Sequence, residues 1–147
     1  MIKIENMTLE DFENIKENLQ NDFDDFWTPS ILESELKNEK TKYIVAKNEN
    51  EILGFAGIWI FPDDVEITNI VTKKTERKKG IGCLLLEKLI EMAKKTNRNN
   101  ISLEVNENNV IAKYLYEKYG FEIVGVRKKY YHGKEDAIIM TKYFNEK

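Results

Sequence analysis

The chain is short of the residues that build most catalytic and metal centres. It has one cysteine, Cys83, and one histidine, His132, in 147 residues. A lone cysteine closes no internal disulfide and offers no second thiol to a metal cluster. A lone histidine leaves His132 as the sole imidazole for a Ser-His-Asp or Cys-His centre. It stands in Tyr131-His132-Gly133-Lys134, which reads as a surface turn. No grouping of acids and histidines suggests a metal site. No apolar run approaches the ~20 residues needed to cross a bilayer. Met1-Ile2-Lys3-Ile4-Glu5 alternates where a signal peptide carries an apolar core. The expected compartment is therefore the cytoplasm. Lys and Arg number 23 against 26 Asp and Glu, a net charge of −3, so the overall charge favours neither nucleic acid nor an anionic membrane.

What remains is an ordinary globular composition, 41% apolar and 33% charged, at a length that suits one domain over residues 1–147. Ile2 and Ile4 alternate with polar residues and predict a first strand over 2–6. Thr8 reads as an N-cap, with Glu10 and Asp11 in the first turn. Phe12, Ile15 and Leu19 form the apolar stripe of the helix that follows. Thr28-Pro29 opens a second helix, with Ile31, Leu32 and Leu36 as its buried face. Strands are expected at 43–46, 52–61 and 65–72, joined by short turns and so antiparallel.

A long helix carries Ile81, Leu84, Leu85, Leu89, Met92 and Ala93 at helical spacing. Residues 101–105 are the next strand. Asn108 or Asn109 caps another helix, carrying Ile111, Leu115 and Tyr119, and Gly120 stops it. A hairpin over 121–130 and 135–143 ends the chain. The fold class is α/β: a mixed sheet, antiparallel at first, with a parallel crossover from 65–72 through the long helix to 101–105.

Arg77-Lys78-Lys79-Gly80-Ile81-Gly82 lies between the 65–72 strand and the long helix. A helix start presents free amides and the positive end of the helix dipole, a natural seat for phosphate. Gly80 and Gly82 let main chain approach the anion without an intervening Cβ. The stretch is neither a dinucleotide fingerprint, which needs a third glycine, nor a P-loop, which needs Gly-Lys-Ser/Thr. The cations Lys73, Lys74, Arg77, Lys78 and Lys79 lack the aromatic platform of a single-strand binder.

Two further residues carry candidate chemistry. Ser102 and Glu104 share one face of their strand, and Ile101, Leu103 and Val105 share the other. A strand reached by a helical crossover is usually apolar on both faces, so a mid-strand carboxylate points to a cleft or a partner. There it can act as a base. Tyr116 sits at the edge of the packing stripe of its helix and can present a phenol as a proton donor. Tyr114, Tyr119, Tyr130 and Tyr131 compete with it on composition alone.

Together these residues resemble the GCN5-related N-acetyltransferase (GNAT) superfamily over nearly the whole chain. Residues 77–82 fit its R-x-x-G-x-G acetyl-CoA motif. Leu103-Glu104-Val105, Asn108-Asn109, Leu115-Tyr116-Glu117, Tyr119-Gly120-Phe121, Arg127 to Tyr131 and Glu135 to Met140 look like one branch, the ribosomal-protein alanine N-acetyltransferases of the RimI type. The resemblance implies a GNAT fold with a largely antiparallel sheet. It implies that acetyl-CoA is the co-substrate and that no metal takes part. Main chain of Ile70, Val71 and Thr72 would pair with the acetyl-pantetheine arm. Arg77, Lys78, Lys79, Gly80, Ile81, Gly82 and Cys83 would surround the pyrophosphate, and Asn109 would contact the pantetheine. Glu104 would accept a proton and Tyr116 would give one. The acceptor would be the amino group of an N-terminal alanine on a ribosomal protein, with no direct nucleic-acid contact.

Two departures stand out. Val71-Thr72-Lys73-Lys74 replaces the family's frequent Ala-Val before a proline, and Asn106 stands where the branch often has arginine. A small amine or a lysine side chain is therefore an alternative acceptor, and a non-catalytic CoA-binding module an alternative role. The acidic-aromatic segment from Asp22 to Trp27 reads two ways: Asp22, Asp24 and Asp25 draw in a basic tail, or the segment is a solvated loop with Phe26 and Trp27 tucked into the core.

Overall fold

A computed structural model of the protein describes residues 1–24, 28–131 and 133–144. His132 and the stretch Asp25 to Trp27 lie outside the described residues, so the turn assigned to the first and part of the acidic patch assigned to the second are not described. The chain divides into two compact units: residues 1–61 with 67–92, and residues 62–66 with 93–147.

The first unit begins with β1 (Ile2–Asn6). Thr8 then caps α1 (Leu9–Ile15) in a capping box, in which its hydroxyl accepts from Asp11 N and the Asp11 carboxylate accepts from Thr8 N. Two orphan amides are satisfied at once. The predicted stripe through Leu19 is not one helix. A 3-10 turn at 16–18 separates α1 from the short α2 (Leu19–Asp22). Leu19 nonetheless stays buried, because its burial depends on where the side chain lands and not on an unbroken helix.

Thr28 caps α3 (Pro29–Leu36). Leu32 is its buried residue, while Ile31, expected inside, is exposed. Strands β2 (Thr41–Asn48) and β3 (Glu51–Ile60) form an antiparallel hairpin with Val45 opposite Phe55, and β1 pairs antiparallel with β2. Residues 67–72 of β4 (Val65–Thr72) run beside β3. Phe12, Ile15, Leu19, Phe23, Leu32, Val45, Phe55 and Val71 fill the core between helices and strands. Most of α4 (Ile81–Lys95) belongs to this unit and buries Ile81, Leu85, Leu86, Leu89 and Ile90. Leu84, expected in that stripe, is 39% exposed. Gly54 allows the close packing: a Cβ there would stand 2.8 Å from Val71 O and 3.1 Å from Ile81 Cγ2.

In the second unit, Val65 and Glu66 pair in parallel with β5 (Asn100–Asn106), at Val65 to Ile101 and Glu66 to Ser102. This is the parallel crossover the sequence predicts. Strand β5 pairs antiparallel with β7 (Glu135–Tyr143), and β7 with β6 (Glu122–Tyr131). Asn109 caps α5 (Val110–Lys118). Ile101, Leu103, Val105, Phe121, Ile138 and Met140 are buried. On α5 the expected stripe fails at Ile111, which is 82% exposed. Leu115 and Tyr119 are half-buried and the helix has no fully buried residue.

Candidate active site

In the first unit, the chain leaves β4 through a 3-10 turn at 74–76 and enters α4 at Ile81. Lys78 and Gly80 both take positive φ, 67° and 86°, a conformation that turns successive amides toward one side. The first intrahelical bond runs from Leu84 N to Gly80 O at 3.1 Å. The amides of Ile81, Gly82 and Cys83 therefore precede the hydrogen-bond ladder and remain for an outside acceptor. A Cβ on Gly80 would meet nothing within 4 Å, and one on Gly82 would meet only Thr72 Oγ1 at 4.0 Å. Open space thus faces the glycines, while the Ile81 side chain anchors the turn in the core. Cys83 is a free thiol at partial exposure. This arrangement fits the diphosphate of a coenzyme A: amides for its oxygens, a helix dipole for its charge, and lysines beside them.

Not every nearby cation is free for such a ligand. Lys73 pairs with Glu51 at 2.8 Å and Lys79 with Glu76 at 3.5 Å. Arg77 is held by Asp24, which also accepts from the main chain of Thr72. Lys74 and Lys78 make no ion pair among the described residues. Main-chain groups of Thr72, expected to pair with the pantetheine, are engaged here by Asp24. Val71 points its side chain into the core, and Ile70 is partly exposed.

A polar knot lies further back in the same unit. Tyr43 Oη meets Glu35 Oε1, Thr68 Oγ1 and Asn69 Nδ2, each at 3.0 Å. One phenolic proton and two lone pairs account for all three: the tyrosine donates to the carboxylate and accepts from the other two. The Asn69 Oδ1 atom then faces away, buried and without a donor among the described residues. Burial raises the Tyr43 phenol far above its ordinary value, with the Glu35 charge acting in the same direction.

In the second unit, Glu104 sits mid-strand on β5 with its side chain 20% exposed. Its partner is Arg127 of β6, Nη2 to Oε2 at 2.9 Å. The sequence reading named Arg127 only as part of a family-like stretch and did not pair it with Glu104, because its reach over β7 depends on register. Asn106, on the same face as Glu104, donates from Nδ2 to Glu135 Oε1 at 3.0 Å. Tyr116, on α5, is half-buried, its ring 5.8 Å from that of Phe121 and tilted by 60°. Its carbonyl accepts from Phe121 N at 3.0 Å, so the Tyr-x-x-x-Gly-Phe stretch fixes the tyrosine against the start of β6. Asn109 uses Oδ1 to cap α5 through Ala112 N at 3.1 Å. Among the described residues no group of three or more His, Cys, Asp and Glu side chains is placed to hold a metal.

Comparison with known proteins accounts for this set of features. The family model of the Acetyltransferase (GNAT) family matches residues 3–121. A candidate ribosomal protein bS18-alanine N-acetyltransferase of Bacillus subtilis (strain 168) is 37% identical over 145 residues, covering 97% of this chain and 96% of that protein. The ribosomal protein bS18-alanine N-acetyltransferase of Haemophilus influenzae is 38% identical over 112 residues, covering 72% and 76%. The crystal structure of the ribosomal-protein-S18-alanine N-acetyltransferase from Escherichia coli superposes with a TM-score of 0.89 at 27% identity, covering 100% of this chain and 96% of that one. With its glycine-lined helix start and a half-buried strand carboxylate, the chain belongs to the acetyltransferase (GNAT) family, whose members draw their acetyl group from acetyl-CoA.

Proposed function

We propose that residues 1–147 act as one cytoplasmic N-acetyltransferase domain that acetylates the N-terminal alanine of a ribosomal protein. The similarity that supports this acceptor runs across nearly the full length of the Bacillus subtilis relative. No described helix is long and apolar enough to cross a membrane.

The observation that carries the mechanism is the placement of Glu104, a mid-strand carboxylate held by Arg127 with its side chain 20% exposed. Acetyl-CoA supplies a thioester, which an amine attacks directly. A protein N-terminus has a pKa of about 7.7–8.0 and is largely protonated at neutral pH. Glu104 removes that proton, directly or through one water. A backbone amide within residues 70–72 stabilises the negative charge that develops on the acetyl oxygen. Tyr116 returns a proton to the departing thiolate. The amides of 81–83, with Arg77, Lys78 and Lys79, hold the diphosphate, and Asn109 contacts the pantetheine. No nucleophilic side chain is needed, which suits a chain with one histidine and one cysteine.

Thiol release from acetyl-CoA, measured with an alanine-starting ribosomal peptide, a lysine peptide with a blocked N-terminus and a polyamine, tests the acceptor. Turnover with the first alone is the expected result. Turnover only with the others moves the acceptor to a side chain or a small amine, and CoA binding without any turnover makes the chain a binding module. For the mechanism, Glu104→Gln and Tyr116→Phe are expected to bind acetyl-CoA normally and lose kcat. Wild-type turnover in both removes the acid–base assignment.

A further inference from the structure

A cavity of about 520 Å³ in the second unit has no role in the scheme above. It forms where α4 ends, where the turn at 96–99 leads into β5, and where β7 ends. Lys94 and Arg98 line it from the helix and turn, and Lys142 and Tyr143 from the strand. Local bonds build its wall. Asn97 N donates to Lys94 O at 3.2 Å, which closes the helix, and Asn97 then takes a φ of 63°. Phe144 N donates to Asn99 O at 3.0 Å, which ties the turn to the end of β7. The volume falls within the ~300–1,000 Å³ range of small-molecule sites.

The charge of the lining has one sign. Three cations line the cavity and, among the described residues, no acid does, although the whole chain carries −3. Lys94 and Lys142 make no ion pair or side-chain hydrogen bond among the described residues. Lys94 is exposed, but Lys142 is half-buried. The Lys142 ammonium lies over the turn that ends α5, where a Cβ on Gly120 would stand 2.7 Å from Nζ. A charge drawn partly out of water calls for a counter-charge, and an anion in the cavity supplies it. Arg98 is steadied there by its bond from Nη1 to Thr96 O at 2.9 Å. Tyr143 stands beside these cations, 48% exposed. Cations near the C-terminal ends of helices also offset helix dipoles. That does not explain why both ammonium groups and an aromatic ring line one cavity.

We propose that this cavity binds a nucleotide, with its phosphate on Lys94, Arg98 and Lys142 and its base against the ring of Tyr143. Ammonium and guanidinium groups take phosphate oxygens through charge-assisted hydrogen bonds. An aromatic face takes any base by stacking. The amides of Asn97 and Asn99, which also line the cavity, each offer a donor and an acceptor to a base edge. An acidic peptide would use the cations and leave the ring without a partner. The nucleotide is either free or one unit of a single-stranded RNA, since both present the same phosphate and base. None of the lining residues takes part in acetyl transfer as derived above, so the inference stands apart from that reading. It departs from the resemblance, which implies no direct nucleic-acid contact.

The test is calorimetric titration of the full chain carrying one equivalent of CoA, so that the cofactor site is filled. The probes are GMP, guanosine, inorganic phosphate and a mixed-sequence single-stranded RNA of about six nucleotides. GMP is expected to bind more tightly than phosphate or guanosine. Lys94→Gln combined with Lys142→Gln should weaken GMP about tenfold or more. Tyr143→Ala should weaken GMP about fivefold or more and leave phosphate unchanged. The rate of acetyl transfer should stay at the wild-type value in these variants. Lys94→Gln alone, at an exposed position, should weaken GMP about threefold and keeps the test valid where the Lys142 change prevents folding. RNA that binds more tightly than GMP, with an affinity that falls as salt rises, identifies RNA as the source of the nucleotide. RNA that binds no more tightly identifies a free nucleotide. No GMP binding, GMP no tighter than phosphate, or GMP affinity unchanged by the Lys94 and Tyr143 substitutions overturns the site.

Discussion

The guanidinium of Arg77 lies against the carboxylate of Asp24, Nη2 2.5 Å and Nε 2.6 Å from Oδ1. Oδ2 of the same carboxylate accepts from Thr72 N at 3.3 Å, and Asp24 N donates to Thr72 O at 2.9 Å. Phe23 bridges Lys73 in antiparallel fashion beside it. Asp24, one of the three acids that could draw in a basic tail, is committed to Arg77 and to the main chain of Thr72. Its charge is neutralised locally, so it adds little to any long-range field.

Replacing that charge should tighten cofactor binding. Asp24→Asn preserves the side-chain shape and the main-chain bond to Thr72, but frees Arg77 for the diphosphate. The CoA dissociation constant is expected to fall about two- to fivefold at low salt, and the gain should shrink at high salt as exposed charges are screened. Calorimetric titration at two salt concentrations measures both. Weaker binding would show that Asp24 positions the loop and does not compete at it.

Local chemistry made much of the fold legible. Thr8, Thr28-Pro29, Asn109 and Gly120 mark helix ends through their own hydrogen bonds or φ values, and the structure places ends at each of them. The crossover followed from strand, long helix and strand in sequence. The candidate loop was readable for the same reason, since Gly80 and Gly82 act through the local backbone. Other features were hidden because they depend on tertiary register. Arg127 is 23 positions beyond Glu104 in sequence, and nothing in its own neighbourhood says where it reaches. Ile111 carries a helical spacing but finds no partner surface, because periodicity states which residues share a face and not whether that face is covered.

The glycine loop gives a sharper test. Gly80 sits at φ 86° with open space around it, so a methyl group meets no clash and the only cost is backbone strain of about 1–2 kcal/mol in the left-handed region. Gly80→Ala should keep the fold by circular dichroism and raise KM for acetyl-CoA about tenfold. An unchanged KM would mean that this turn does not hold the cofactor.

Tyr43 and Gly57 are opposite each other in the β2–β3 register. A Cβ on Gly57 would stand 2.4 Å from the Tyr43 ring. Gly57→Ala should therefore displace the ring and break the knot with Glu35, Thr68 and Asn69. Tyr43→Phe keeps the ring and removes only the hydroxyl, leaving a carboxylate and two donors without their partner. It should cost about 1–3 kcal/mol, read from urea denaturation, with Gly57→Ala costing at least as much. A loss below half a kcal/mol for Tyr43→Phe would mean that water replaces the hydroxyl.

Asp11 predicts an acid limb in stability. Burial would raise its carboxyl, but the Lys47 ammonium at 2.9 Å and the Thr8 bonds outweigh burial and hold it below the ordinary 3.8. A carboxyl depressed on folding adds stability above its unfolded value and loses it as pH falls through the folded one. Asp11→Asn should be less stable than wild type at pH 7, and the gap should close below pH ~4. Parallel stability curves across that window would contradict the assignment.

The most direct test of the account is the intact mass of ribosomal proteins from cells with and without this gene. One protein with an N-terminal alanine is predicted to lose an acetyl group, about 42 Da, when the gene is absent, and to regain it when purified enzyme and acetyl-CoA are added. Identical masses in both cells, or no acetylation on adding the enzyme, would contradict it.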